Sequence, residues 1–364
     1  MDKFKSPVSL RGDHYWCPLS LQVDAYWQCV GCPMCYLRRM NRTWGMAQKV
    51  ASPETIRKEL ENGLKNQAPK TPLGRAIKAK KTIRFGNKAD PYQPIEKVTG
   101  VSRQILSVFN DLDWSYVVQT KFPSLLVGRD LDMLKDSRGR ATVMIEMSPG
   151  LEWDWEHLEN KLTDHPKVRL DAAAELKRAG VRVAFNGEPF VPGLHTTAQF
   201  RAAIQAVKSV GVRTYNTYFM HINDYNLKAM YAAGVDIEAV WRGTQDGTWG
   251  PIHRELIEIA NAEGVTLGCP DFLTSREYIQ PTNTCCGMSV PNPSTFTVME
   301  WKRLWLAGVR DIDDIIARTW DGVGDLDEAR AILSGQKTEV FSITDLEKEL
   351  NGANRPKLKR GKLL

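Results

Sequence analysis

A repeated unit, in which a helical stretch ends at a glycine and a short apolar run follows, constrains the fold of this 364-residue chain most strongly. The helical stretches are residues 168–178, 198–209, 224–232 and 254–262, and the apolar runs begin at residues 183, 215, 237 and 267. A Gly-Val pair separates the two parts of each unit. Glycine often ends a helix in the left-handed conformation, and valine is typical of strands. The spacing of about 30 residues therefore predicts a series of helix–strand units.

The preceding part of the chain continues the alternation with β-rich runs at residues 81–85, 115–119 and 142–147. Alternating strands and helices predict an α/β fold with a parallel sheet. Six or more units indicate a complete or partial (β/α) barrel, and a doubly wound open sheet is the alternative. In both architectures the chemistry lies at the carboxyl ends of the strands.

The alternation of helices and strands stops after residue 270. A loop then precedes helical stretches at residues 294–306, 325–333 and 344–350. The last residues are rich in lysine and arginine, a composition typical of disorder. We therefore expect three parts: a barrel in residues 1–270, a C-terminal loop and helical extension in 271–350, and a disordered basic tail in 351–364.

Composition narrows the functional classes. The chain has no apolar stretch of about 18 residues that would span a membrane, and its start lacks the apolar region of a signal peptide. We therefore expect a cytoplasmic protein without membrane contact. The net charge of +6 favours an anionic partner, and seven clustered cysteines favour ligand use over disulfides.

Three of these cysteines, Cys29, Cys32 and Cys35, are separated by two residues each, directly after the apolar segment 19–26. This spacing lets the thiolates converge on one metal centre. A four-iron cluster held by three cysteines leaves one iron open for a small-molecule ligand. A zinc site completed by Cys17 or His14, or three unligated thiols, are the alternatives that spacing alone leaves open.

The cysteine run resembles that of the radical S-adenosylmethionine (SAM) superfamily, and further segments resemble its spore photoproduct lyase-like branch. These segments are Asp90-Pro91-Tyr92-Gln93-Pro94-Ile95-Glu96, then Thr120-Lys121-Phe122, and the stretch from Glu159 through Arg169 to Gly193. The resemblance covers roughly residues 15–200. The chain departs from the usual Cys-x3-Cys-x2-Cys spacing by one residue, and Met34 stands where an aromatic residue is usual.

The resemblance implies a partial (β/α)6-type barrel of the radical SAM kind with a mostly helical C-terminal extension. It implies that Cys29, Cys32 and Cys35 hold a [4Fe-4S] cluster whose open iron binds S-adenosyl-L-methionine. An electron from an external donor would then cleave SAM and give a 5′-deoxyadenosyl radical. Lys121 matches the family lysine that reaches the SAM carboxylate, and we count it with the three cysteines as catalytic.

The resemblance also implies a set of SAM-binding residues: Tyr36, Gly86, Asn87, Lys88, Asp90, Lys121, Glu146, Ser148 and Arg169. Residues 86–90 would contact the methionine amino and ribose groups, and a glycine there permits close backbone approach. Glu146 and Ser148 are candidates for the ribose hydroxyls. Arg169 either holds the SAM carboxylate or pairs with Glu159.

A second cysteine group, Cys269, Cys285 and Cys286, lies at or past the last strand. These residues have three interpretations: an auxiliary cluster or zinc site with Cys17, a thiol that quenches a substrate radical, or small buried apolar residues. The hydrogen-donating cysteine of the resembled branch follows strand two, where this chain has residues 86–88 and no cysteine.

The resembled branch acts on pyrimidines in nucleic acid, and Arg38-Arg39 and the basic tail agree with a phosphate-bearing partner. Aromatic residues that could stack a base are Trp241, Trp249, Tyr215 and Tyr218. We therefore predict a monomeric, lyase-like radical SAM enzyme that modifies or repairs a pyrimidine base. The alternatives are a radical SAM enzyme for a peptide or small molecule, and a non-catalytic zinc-binding nucleic-acid module.

Overall fold

An eight-stranded sheet forms the centre of the fold. The computed structural model describes residues 2–4, 7–10, 15, 17–37, 48–218, 220, 222–243, 249–268, 284 and 286–334. The strands are β1 (Asp2–Lys3), β2 (Val8–Leu10), β3 (Leu21–Val23), β4 (Lys49–Val50), β5 (Ile83–Phe85), β6 (Tyr116–Thr120), β7 (Ala141–Glu146), β8 (Arg182–Asn186), β9 (Thr214–Asn216) and β10 (Thr266–Gly268). Their order in the sheet is β10-β9-β8-β7-β6-β5-β3-β2, and β1 pairs with β4 separately.

The sheet is parallel from β3 to β10, and only β2 pairs antiparallel, with β3. Its edge strands β2 and β10 do not pair with each other, so the sheet is open rather than closed. The predicted α/β fold with a partial barrel is therefore confirmed. Parallel strands are covered on both faces, which explains why all six residues of β7 are buried.

Helices connect the strands and pack on the sheet. They are Pro53–Lys65, Pro72–Lys78, Glu96–Thr99, Val101–Asp111, Pro123–Asp136, Glu152–His157, Pro166–Arg178, Thr197–Ser209, Asp224–Ala232, Ile237–Gly243, Trp249–Ala262, Val298–Leu306, Ile312–Thr319 and Leu326–Leu333. No helix among the described residues is both long and apolar enough to cross a bilayer.

The glycines that end the predicted helices do adopt the left-handed conformation. Gly180, Gly211, Gly234 and Gly264 have φ values of 77°, 77°, 79° and 66°. One strand prediction is wrong, because the residues after Gly234 form the helix Ile237–Gly243. Asp236 explains the difference, since its carboxylate accepts the Ala239 N–H at 3.0 Å and so caps the start of a helix.

The C-terminal segment covers the inner face of the sheet. Val117, Met144 and Ala184 point inward from three adjacent strands and form one apolar cluster with Phe296 and Trp301. A buried ion pair between Lys81 and Asp321, 2.9 Å long, joins this segment to the residues before β5. The extension therefore packs on the inner face and at the start of β5, and its residues Cys286 and Gly287 also approach Gly268 at the end of β10. The predicted helix 344–350 and the basic tail lie outside the described residues.

Candidate active site

The cysteine loop follows β3 at the carboxyl edge of the sheet. Gly31 takes a left-handed φ of 76°, and the Cys35 N–H donates to the Cys32 carbonyl at 3.1 Å to form a tight turn. The Asn160 N–H donates to Cys32 Sγ at 3.3 Å, and the Asn160 side chain donates to the Val30 carbonyl at 3.0 Å. The shortened loop is therefore held from outside by the segment after helix Glu152–His157.

The three thiols share one environment. Burial raises the pKa of Cys29, and nearby Asp90, Cys32 and Cys35 raise it further, while the Asp90 N–H donates to the Cys29 sulfur. Burial also raises the pKa of Cys32, to about 12, although the Lys121 ammonium opposes this shift. Cys29 and Cys32 are thus protonated in this state, and binding a metal cluster would release their protons.

The loop offers three cysteine thiols as metal-binding side chains, and thiolates are ligands in both iron–sulfur and zinc sites. Backbone N–H groups already donate to two of the sulfurs, as they do at iron–sulfur sites. In the described part of the chain, no three His, Cys, Asp or Glu side chains are arranged to hold a metal ion, and this includes the three cysteines of the loop. Cys17 packs in the inner apolar cluster and lies 3.9 Å from a guanidinium nitrogen of Arg84. His14 lies outside the described residues.

Lys121 and Glu159 form the charged part of the site. The Lys121 ammonium is 2.8 Å from Glu159 Oε1 and 4.0 Å from Glu146 Oε2. Burial alone would lower the pKa of Lys121, but the two carboxylates outweigh burial and raise it. Lys121 therefore stays charged, next to the cysteine loop, as a binding residue for a carboxylate must.

The guanidinium of Arg169 donates all of its hydrogen bonds to acceptors of the protein. Its guanidinium donates to the Asp164 carbonyl at 2.7 Å, to the Glu146 carbonyl at 2.7 Å, to Thr163 Oγ1 at 3.1 Å and to both oxygens of Glu159. These bonds use all five of its N–H groups. Of the two roles left open by the sequence, the structure therefore shows the pair with Glu159.

The loop after β5 wraps a buried carboxylate. Asp24 accepts the backbone N–H of Lys88 at 2.8 Å and that of Asn87, and burial raises its pKa. Gly86 has a φ of 93°, and a Cβ there would lie 2.4 Å from Pro91 Cδ and 2.9 Å from the Gln119 carbonyl. The predicted close approach at Gly86 thus exists, and its partners are protein atoms.

Asp90 joins this loop to β6 and to the cysteines. Its carboxylate accepts the Thr120 hydroxyl at 2.7 Å, the Tyr92 N–H at 2.9 Å and the Lys121 N–H at 2.6 Å. Burial raises its pKa to about 6, against the effect of these donors. Asp90 therefore organises the site rather than facing it freely.

The remaining predicted residues lie on the same edge. Glu146 Oε1 accepts the side-chain amides of Gln119 and of Asn186, the latter at 2.8 Å, and burial raises the pKa of Glu146. The buried Ser148 hydroxyl donates to the Glu188 carbonyl at 3.3 Å. The Tyr36 side chain is 44% exposed, and its carbonyl accepts the Asn223 amide at 3.2 Å.

Sequence reasoning missed a row of polar residues on the inner face of the sheet: Gln22, Arg84, Gln119, Asn186 and Asn216. The signal was available, because polar side chains occupy alternate positions near the ends of strands that are otherwise apolar. Three buried oxygens of this edge have no hydrogen-bond partner among the described residues: Gln22 Oε1, Asp24 Oδ2 and Asn216 Oδ1. They are acceptors that a bound ligand would satisfy.

The second cysteine group and the aromatic candidates for base stacking are described only in part. Cys286 is buried in the inner apolar cluster, while Cys269 and Cys285 lie outside the described residues. Tyr215 is fully buried and donates its hydroxyl to the Met147 carbonyl at 2.9 Å, so of the aromatic candidates for base stacking this one packs in the core instead. Trp241 and Tyr218 are half-buried, and the side chain of Trp249 is not among those described.

A curated protein resembles part of this chain in sequence. The chain matches no protein-family model. It is 24% identical over 187 residues to a radical SAM Nα-GlyT isomerase of Pseudomonas phage M6, and the match covers 50% of this chain and 35% of that protein. The match therefore spans only about a third of the curated relative.

Solved structures of spore photoproduct lyase share the fold. One in complex with dinucleoside spore photoproduct has a TM-score of 0.52 at 13% identity, and covers 72% of this chain and 79% of that chain. A variant of the same enzyme has a TM-score of 0.55 at 13% identity, and covers 73% and 80%. The predicted resemblance is therefore confirmed at two levels: half of the chain is similar in sequence to a protein named as a radical SAM isomerase, and the fold is similar to that of spore photoproduct lyase.

Proposed function

We propose that this chain is a radical SAM enzyme whose Cys29, Cys32 and Cys35 hold a [4Fe-4S] cluster at the carboxyl edge of the sheet. The observation that carries the proposal is that the cysteine loop, the charged Lys121 and the buried oxygens Gln22 Oε1 and Asn216 Oδ1, which lack a partner among the described residues, lie at this one edge. When bound, the cluster and SAM would supply a 5′-deoxyadenosyl radical.

The residues of the chain divide the binding of SAM between them. The Lys121 ammonium would attract the SAM carboxylate, because its nearest protein carboxylates are themselves shared with Arg169 and with the amides of the sheet. Asp24 Oδ2 would accept from the SAM ammonium in place of the Lys88 ammonium, which lies 3.9 Å from this oxygen, while Asp24 Oδ1 keeps the Lys88 N–H. Both roles follow from opposite charges at short range in a buried site.

An apolar cluster beside the cysteine loop would exclude water from the radical chemistry. Cys32 and Met34 pack there with Leu158, Val191 and Met220. A dry wall on this side limits the side reactions of a reactive intermediate.

The test is reconstitution with iron and sulfide without oxygen, followed by dithionite and SAM and by chromatography for 5′-deoxyadenosine. Wild-type protein should become brown, bind iron and release 5′-deoxyadenosine, whereas Cys29→Ala, Cys32→Ala and Cys35→Ala should lose all three properties. Cys17→Ala is the matched control, because Cys17 lies in a separate apolar cluster and should keep them. Stoichiometric zinc without any product would refute the proposal.

For the substrate we propose a pyrimidine base in nucleic acid. The support is the dinucleoside photoproduct bound to a structural neighbour and the net charge of +6. Residues 86–88 carry no thiol, so the repair reaction of that branch lacks its donor there, and base modification fits this chain better.

The substrate test uses oligonucleotides with deuterium on the thymine methyl group and, separately, deuterated peptides. Deuterium that appears in 5′-deoxyadenosine only with the oligonucleotide supports the nucleic-acid substrate. Transfer from a peptide alone would favour the alternative of a peptide-modifying enzyme. A binding constant that falls steeply with salt is the second expected sign of a phosphate-bearing partner.

A further inference from the structure

The inner face of the sheet carries a chain of side-chain amides whose orientations are fixed one by one. An amide can present either its N–H₂ group or its oxygen, and only the neighbours decide which. Arg84 is a pure donor and donates to Gln119 Oε1 at 2.7 Å, so Gln119 must turn its nitrogen towards the next residue. That residue is Glu146, whose Oε1 accepts this N–H.

The same logic continues across the next two strands. Asn186 also donates to Glu146 Oε1, at 2.8 Å, so its oxygen faces Asn216. The Asn216 nitrogen donates to that oxygen at 2.6 Å and to Glu188 Oε1 at 2.7 Å. Both N–H groups of Asn216 are therefore used by the protein, and the amide cannot flip without losing both bonds.

In this network the side-chain oxygen of Asn216 accepts no hydrogen bond from the described residues. Asn216 is 3% exposed, and its Oδ1 has no hydrogen-bond partner in the part of the chain that the structure describes. A buried acceptor without a partner destabilises a protein, and such groups in native structures usually await a water, an ion or a ligand. The oxygen lies at the carboxyl end of β9, on the same edge as the cysteine loop and Lys121.

We propose that Asn216 Oδ1 accepts the N–H of a nucleobase bound in the site. A neutral carbonyl oxygen suits a neutral donor, whereas an ammonium group is better served by Asp24 or Glu146 nearby. Two nucleobases meet the chemistry, namely the adenine of SAM through its amino group and a pyrimidine through its N3–H. The presence of these ligands rests on the proposed function. The Asn216 carbonyl oxygen adds the requirement for an N–H donor, which both ligands have.

The first arm of the test is calorimetric binding to the reconstituted holoenzyme. Asn216→Ala should weaken the binding of either SAM or a thymine-containing oligonucleotide by about 5- to 150-fold, because it removes a buried hydrogen bond. Asn110→Ala is the matched control, because Asn110 donates to the Met133 carbonyl and accepts the Tyr116 hydroxyl, away from the site. It should leave both affinities unchanged.

The second arm changes the ligand and keeps the wild-type protein, so a misfolded variant cannot explain the result. A SAM analogue with hypoxanthine in place of adenine lacks the amino N–H, and an oligonucleotide with N3-methylthymine lacks the N3–H. One of these changes should weaken wild-type binding by about the same factor as Asn216→Ala, and the two effects should not add.

The outcomes distinguish SAM from the substrate as the ligand of Asn216. They also distinguish a failure of this inference from a failure of the proposed function. Sensitivity to hypoxanthine assigns Asn216 to SAM, and sensitivity to N3-methylthymine assigns it to the substrate; both support the inference. Wild-type protein that cleaves SAM but loses no affinity in any arm overturns this inference alone. Wild-type protein that binds neither ligand overturns the proposed function as well.

Discussion

Glu159→Gln is the substitution whose effect on stability the structure determines most directly. The Glu159 carboxylate is buried, with both oxygens bonded to Arg169 and one of them 2.8 Å from the Lys121 ammonium. Burial alone would raise its pKa, but the two cations outweigh burial and lower the pKa from 4.5 to about 2. Glutamine keeps the shape and removes the charge that both cations need.

The size of the effect follows from two independent arguments. One pKa unit corresponds to about 1.4 kcal/mol, so the lowered pKa contributes about 3 kcal/mol to stability near neutral pH. Removing one partner of a buried ion pair typically costs about 3 to 5 kcal/mol, because the other charge is left buried and unpaired. We expect Glu159→Gln to lose about 3 kcal/mol.

Asp132→Asn is the matched control. The pKa of Asp132 is also lowered to about 2, by its bonds to Arg103, but both side chains of this pair are largely exposed. Solvent screens an exposed pair, so its removal should cost less than about 1 kcal/mol. Two carboxyl groups with the same low pKa should thus differ clearly in their effect on folding.

Urea unfolding of the apoprotein, followed by tryptophan fluorescence, measures both variants. With a slope of about 3 kcal/mol per molar, Glu159→Gln should lower the midpoint by about 1 M. Because the folded pKa lies below the unfolded one, the stabilisation is present above about pH 4.5 and is lost as the pH falls towards 2. The difference from wild type should shrink in that window. Equal midpoints for Glu159→Gln and Asp132→Asn would refute the reasoning.

Two further predictions concern the frame of the site. Gly86→Ala should cost at least about 2 kcal/mol, because the new Cβ meets Pro91 and the Gln119 carbonyl at a positive φ; Gly180→Ala, with open space around it, should cost only the backbone strain of about 1 to 2 kcal/mol. Similar losses in urea unfolding would contradict the close approach at Gly86. Asp321→Asn should cost about 3 to 5 kcal/mol and speed proteolysis of the C-terminal segment, because it leaves Lys81 buried without its partner. Asp314→Asn, which removes the exposed pair with Arg318, is its control. Equal protease resistance of the two variants would contradict a stabilising role of the Lys81–Asp321 ion pair.

The sequence predicts the fold well where one local signal determines one element. The Gly-Val pairs marked helix ends correctly, since glycine alone reaches the left-handed conformation without a steric cost. The same signal failed after Gly234, where it predicted a strand. A capping carboxylate at Asp236 decided for a helix there, because the apolar run Ile237 to Trp241 fits either structure.

The site was predicted in part for the same reason. Spacing and resemblance identify the three cysteines and Lys121, and the structure brings them to one edge. The sequence leaves two roles open for Arg169, and only the folded chain shows that five acceptors from several segments use its five donors. Pairings between distant residues, such as Asn186 with Asn216, depend on the register of the sheet, which a single sequence does not reveal.

The cysteine spacing is one residue shorter than in the resembled superfamily, and Gly31 stands inside the shortened interval. Gly31, between the first two cysteines, takes a left-handed φ that lets the chain turn with one residue fewer. Asp90 and Asn160 then donate backbone N–H groups to the first two sulfurs. These donors come from the loop after β5 and from the segment after helix Glu152–His157, so two neighbouring segments help to position the thiols. Segments outside the loop therefore hold the first two sulfurs of the shortened motif.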